Sequence, residues 1–352
     1  MRRSLAAIVT MLFVAASESG RGDDPRPPAD APFEVGGQPE PRLSRRAQRR
    51  ANRRRPPAIA PAATPPIGVT STLGSPFESL GAEAHEPFIV HRDQSYADAG
   101  DDRQRFDLYL PKGCGGGLPL VVWVEGKTWQ SIARPACPVI WLVDSGYAVA
   151  SIRYRPSSTD PFPAQLDDCL AAIDCIQRDA DLWGIDRDRI CVAGRAAGGH
   201  LAALSGLWDE SSPERPLPPV AAVCVIDAPT HLTSLGPEHD RPASPASQLV
   251  GGPLPEFREA AQQASPLTHV SSDDPPVLVI HARAGAAVPF EQSRKFTTAL
   301  RAAGVPCTLV PVDAGGAEAS IDRDSTGGAA FAAFLAETIG RGARPSPEAA
   351  TR

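Results

Sequence analysis

Seven short apolar runs, separated by stretches of helical period, restrict this chain more than any other feature. They are RFDLYLP (105–111), LPLVVWV (118–124), YAVASIRY (147–154), RICVAG (189–194), VAAVCVI (220–226), PVLVIHA (276–282) and CTLVPV (307–312). The first alternates with period two. The rest are largely continuous, as strands buried on both faces must be. Between them, PAQLDDCLAAIDCIQRDADLWG (163–184) sets Leu166, Cys169, Leu170, Ile173 and Ile176 on one helical face. SRKFTTALRAAG (293–304) and GGAAFAAFLAETIG (327–340) are helical too, each closed by Gly. Buried strands alternating with helices predict an α/β chain, a mostly parallel twisted sheet with helices on both faces.

Outside residues 86–340 the composition changes. Residues 1–85 carry 12 Arg against 8 acids, while the remainder carries 23 Lys or Arg against 33 acids. Arg2 and Arg3, the apolar run Leu5–Ala16 and the small residues at 15–17 have the layout of a secretory signal peptide over residues 1–17. Twelve residues rising 1.5 Å each fall short of a bilayer core of about 30 Å. Export, to a periplasmic or extracellular place, is therefore the expectation. Residues 18–85, rich in Pro and Arg, lack the apolar content for a core and are expected to be disordered, as is the tail 341–352. The eight Arg between Arg42 and Arg55 form either a solvated linker or an electrostatic arm for an anionic surface such as a membrane. No nucleic-acid partner is expected. The seven cysteines are odd in number and show no zinc spacing, so small buried thiols are expected rather than a metal or redox site.

In a sheet of this class, ligands gather beyond the carboxyl ends of the strands. Residues there carry the functional reading. Gly194-Arg195-Ala196-Ala197-Gly198 follows a strand and opens a helix. It has the glycines of a nucleophile elbow, G-x-S-x-G, with Ala196 where the serine would stand. Together VVWVEGKTW, GYAVASIRYR, PFPAQLDDC, GIDRDRICVAG, AAGGHLAAL, ASPLTHVSSDDPPVLVIHA and AAGVPCTL resemble the bacterial esterase/lipase branch of the α/β-hydrolase superfamily, its hormone-sensitive-lipase-like and feruloyl-esterase-like members, over about 86–338.

The resemblance implies the α/β-hydrolase fold, about eight strands, a lid near 228–275, and a serine, an acid and a histidine in that order. By the same resemblance the serine, acid and histidine positions fall on Ala196, Gly285 and Ala317. The oxyanion loop, expected to begin His-Gly-Gly, reads Glu125-Gly126-Lys127, and the backbone of Gly126 and Ala197 would form the oxyanion-type site. No histidine follows His281, so no shift of register supplies one after the last strand. Asp227 can replace the acid, but an acid without base or nucleophile does nothing for acyl transfer.

A non-catalytic binding or interaction module is therefore the first expectation. An esterase with rearranged groups is the second, and a surface or assembly protein binding through its Arg-rich arm the third. The second needs a hydroxyl or thiol beside His200, His231, His239, His269 or His281 in the cleft, and none is expected. Glu125, Lys127, Arg195, Asp227 and Arg283 form the expected pocket rim. They either hold a small anionic or acyl/carbohydrate-ester ligand or have drifted into surface ion pairs worth about 0–1 kcal/mol. His200 reads as structural. His231 and His239, eight apart in HLTSLGPEH, hint at a metal against a plain loop. No metal or cofactor is assigned.

Overall fold

Strand β3 (Leu118–Val124) is buried at every residue, and so are β4 (Ala148–Ile152), β6 (Ala222–Ile226) and β7 (Val277–Ala282). That is what continuous apolar runs dictate. In this computed structural model the described residues are 88–97, 101–126, 128–130, 137–208, 219–285, 287–313 and 321–340. They lie in the second of two units into which the chain divides, Ile59–Arg352. The signal-peptide, arm and tail readings lie outside the described residues, as do Lys127 and Ala317.

With β1 (Phe88–Ser95), β2 (Arg105–Pro111), β5 (Ile185–Arg195) and β8 (Cys307–Val312), these strands make one eight-stranded sheet in the order β1-β2-β4-β3-β5-β6-β7-β8. Strands β4, β3, β5, β6, β7 and β8 run parallel, and β2 alone runs antiparallel to its neighbours β1 and β4. This is the α/β-hydrolase fold. Strand β1 was not legible in the sequence. It is an edge strand, partly exposed along its length and interrupted by a bulge between His91 and Gln94. Edge strands carry weak apolar periodicity, and a bulge scrambles what remains.

Successive β3 residues enter opposite cores. Leu120, Val122 and Val124 join the core beneath α1 (Ala164–Arg178), whereas Val121 and Trp123 join the core on the other face. The expected helix over 163–184 is two helices, α1 and α2 (Ala180–Trp183), because the chain turns at Asp179. Helix α3 (Ala197–Leu207) is buried at all its residues. The lid region holds only the short α4 (Pro245–Val250) and α5 (Arg258–Gln263) and two 3-10 turns. Helices α6 (Phe290–Ala302) and α7 (Thr326–Thr338) complete the layers, with Phe296 in the first core and Phe331 in the second. All seven cysteines are free and five are buried.

One buried ionic cluster fixes the loop after β4. Asp168, 2% exposed on α1, accepts Arg155 Nη2 at 2.7 Å and Nε at 2.9 Å, the Arg155 backbone N–H at 2.9 Å, and Gln104 Nε2 at 2.7 Å. The pairing holds the Arg155 guanidinium firmly charged.

Candidate functional site

Three non-glycine residues at the carboxyl ends of neighbouring strands have positive φ. These are Trp129 (61°) after β3, Ala196 (52°) after β5 and Asp227 (44°) after β6. Such backbone costs of order 1–3 kcal/mol per residue and concentrates at functional sites. The centre of the three is the elbow. Ala196, with φ 52° and ψ −119°, turns β5 into α3. Its N–H donates to the Ile226 carbonyl at 2.9 Å, and its carbonyl accepts the His200 N–H at 3.0 Å.

Glycines make this turn sterically feasible. A Cβ on Gly198 would lie 2.2 Å from the Val124 carbonyl oxygen, and one on Gly126 would lie 2.4 Å from that of Arg195. The expected oxyanion loop and the elbow are thus locked together. Ala197 is buried; Arg195, Ala196, Glu125 and Gly126 are partly exposed.

The rim residues have separate partners. Glu125 Oε1 accepts the Ser151 hydroxyl at 2.5 Å. Burial, with the Glu125 charge as a lesser cause, pushes the nearby Cys137 thiol up to about 12. Arg283 pairs with Asp313 at 3.2 Å and lies over the Phe290 ring. Asp227 Oδ1 accepts the Ala282 N–H at 2.8 Å, joining the ends of β6 and β7. Gly285, the acid position, donates its N–H to Ala282 in the turn that follows β7.

His200 is structural in its contacts. Its Nε2–H donates to the Ala264 carbonyl at 2.6 Å and its Nδ1 accepts the Trp129 indole N–H at 3.2 Å. Burial holds its pKa at about 4, so the ring is neutral and ties the loop after β3 to the segment after α5. His231 and His239 have different partners: the His239 ring lies 3.5 Å from Glu238, and the His231 ring is bonded to hydroxyls. No three potential metal ligands converge among the described residues.

Two imidazoles have hydroxyls beside them, one wholly buried and one partly exposed. Ser293 Oγ lies 2.6 Å from His281 Nδ1, and His281 Nε2–H donates to the Val288 carbonyl at 3.0 Å. The Asp227 carboxylate is 3.9 Å from that nitrogen, too far for a hydrogen bond. Both His281 and Ser293 are 0% exposed, so this Ser-His-Asp grouping meets no substrate. The second pair, Ser234 Oγ and His231 Nδ1 at 2.8 Å, is partly exposed. A serine three residues after a histidine, in HLTS, was its only sequence signal. One open cavity, of about 410 Å³, is lined by Gly116, Gly117, Asp181, Gly184, Ile185, Asp186 and Arg187 at the amino ends of β3 and β5, away from the elbow.

The BD-FAE family model matches residues 106–300, more than half of the chain. This chain belongs to the BD-FAE family. It lies in the esterase branch of the α/β-hydrolases. Esterase LipC of Mycobacterium tuberculosis is 28% identical over 69% of this chain and 60% of its own length. Esterase LipQ of the same organism is 31% identical over 54% of this chain and 47% of its own. The chain thus spans about half the length of these curated relatives. Among solved structures, a truncated carbohydrate esterase from gut microbiota superposes with a TM-score of 0.66 at 25% identity, over 72% of this chain and 98% of that one.

Proposed function

We propose that this BD-FAE member binds an acyl or carbohydrate-ester ligand at the elbow and does not cleave it by the family's route. The observation that carries this reading is Ala196: it holds the strained turn of a nucleophile, is reached by solvent, and offers a methyl group. A methyl cannot attack a carbonyl, and the sequence has no histidine after His281 to act as base there. Replacing a hydroxyl by hydrogen leaves room for the substrate carbonyl, so the ester can dock unreacted. The esterase names of the relatives support an ester as the ligand class. The run Leu5–Ala16 supports an exported site of action.

Calorimetric titration with acetylated or feruloylated saccharides tests it, run beside hydrolysis of the same esters. Binding with turnover at the buffer rate is expected. Turnover well above buffer that survives Asp227→Ala overturns the reading.

A second reading is that the chain hydrolyses esters through displaced groups. The relatives favour it by name, and the partly exposed Ser234–His231 pair is the observation for it. The same assay separates the two, because only this reading expects turnover.

A further inference from the structure

We propose that Ser234 is a nucleophile toward small activated acyl esters, with His231 as its base and the Lys295 ammonium facing its oxygen, a proposal that rests on the reading of hydrolysis through displaced groups. The site lies on the carboxyl side of β6, where ligands gather in sheets of this class. A single 3-10 turn, Leu232–Ser234, follows His231. Such a turn stacks residues three apart, which brings the Ser234 hydroxyl onto the imidazole of His231. The Ser234 Oγ to His231 Nδ1 distance is 2.8 Å, and Thr233 Oγ1 lies 3.0 Å from Nε2. With Nε2–H donating to Thr233, Nδ1 presents a lone pair to the serine proton.

The serine oxygen meets two further donors, Lys295 Nζ at 3.4 Å and Gln292 Nε2 at 3.3 Å. A hydroxyl that only caps a turn points at a backbone carbonyl. That acceptor is present here, the His231 carbonyl at 3.4 Å, and it is farther away than the ring. Burial, with Lys295 as a lesser cause, lowers the His231 pKa and keeps the ring a free base near neutral pH.

Gln292 holds the turn rigid. It is 1% exposed; its Oε1 accepts the Thr230 and His231 backbone N–H groups at 3.0 and 2.8 Å, and its Nε2 donates to the Ser234 carbonyl at 3.0 Å. Serine and base are therefore positioned before any ligand arrives, which is the condition for nucleophilic catalysis. The Ser293–His281 pair has the shorter contact but no access.

The step balances without a cofactor. Ser234 Oγ bonds to the acyl carbon as its proton passes to His231 Nδ1. The ester C–O bond breaks, and the leaving alkoxide takes that proton. Water then adds to the acyl-serine, giving a proton to His231, and the C–Oγ bond breaks to release the acid and restore the hydroxyl. One ammonium facing the oxygen is modest charge stabilisation, so good leaving groups such as aryl alkoxides define the substrate class.

The full-length protein is incubated with p-nitrophenyl acetate and, separately, a fluorophosphonate probe; the adduct is then located by peptide mass mapping. A covalent adduct on Ser234 of the unaltered protein is expected. Ser234→Ala should abolish it, and His231→Gln should slow it about 10²–10⁴-fold. Mapping the unaltered protein locates the adduct even if a variant misfolds. Labelling elsewhere, or a rate unchanged in Ser234→Ala, overturns the proposal. Ester turnover that persists undiminished in Ser234→Ala removes Ser234 and leaves hydrolysis through other displaced groups standing. No adduct and no turnover remove both.

Discussion

Replacing Ala196 by glycine measures the strain held at the elbow. The residue has φ 52° and ψ −119°, a region glycine enters freely and an L side chain does not. The native conformation therefore costs Ala196 about 1–3 kcal/mol that glycine would not bear. Two terms oppose the gain. Glycine has greater freedom in the unfolded chain, worth about 0.5–1 kcal/mol. The partly exposed methyl group contributes under about 0.8 kcal/mol of burial. The balance favours the Ala196→Gly protein by about 1 kcal/mol, or roughly 2–4 °C in Tm for a domain of this size. Urea unfolding should show a higher midpoint with an unchanged slope. A variant less stable than the parent would show that the turn is relaxed around alanine. The case for a nucleophile-type backbone at this position would then fail.

Ala196→Ser alone should give ester turnover no higher than the parent, measured with p-nitrophenyl acetate, because a lone serine lacks a base; a clear gain would reveal a hidden one. Gly198→Ala should fail to fold or lose more than about 3 kcal/mol by denaturant melt, since its Cβ would stand 2.2 Å from a backbone oxygen that cannot move aside cheaply. Asp168→Ala should cost about 1.5–3 kcal/mol in the same melt, because it removes the charged acceptor shared by Arg155 and Gln104 and leaves the Arg155 guanidinium only the longer pairing with Asp160. His200 titrates near 4 when folded against 6.5 when unfolded, so the unfolded chain binds the extra proton between those values. Its contribution is present above pH 6.5 and lost as pH falls toward 4, by about 3 kcal/mol; His200→Gln should flatten that part of the stability profile.

The parts of this fold that were legible in sequence are those with local causes. A central strand buried on both faces must be apolar throughout, and Val121, Val122 and Val124 say so without knowledge of their neighbours. The elbow was legible because Gly194 and Gly198 flank it within five residues. The rim was not. Glu125 is bonded to Ser151 on β4, Arg283 reaches Asp313 beyond β8, and Asp227 caps the end of β7. Those partners are set by strand order, and β4 lies between β2 and β3, against the order of the chain. The imidazole–hydroxyl pairs were missed for a related reason. His281 meets Ser293 only because α6 packs back on β7, and His231 meets Ser234 only because a short turn forms in a segment with no period to read.

Why the elbow persists around an alanine follows from which groups build it. None of its determinants is the side chain at 196. Gly126 and Gly198 exclude Cβ atoms from contacts of 2.4 and 2.2 Å with the Arg195 and Val124 carbonyls, and the Ala196 N–H is fixed to Ile226. The turn is thus a joint among β3, β5, β6 and α3, and loosening it would open the sheet where its strands are wholly buried. A serine could be lost there without structural penalty, since a hydroxyl contributes nothing to that packing. The joint alone therefore does not argue for continued use. Exposure bears on use separately: Ala196 stays partly exposed on a strained turn, as a residue that meets a ligand must.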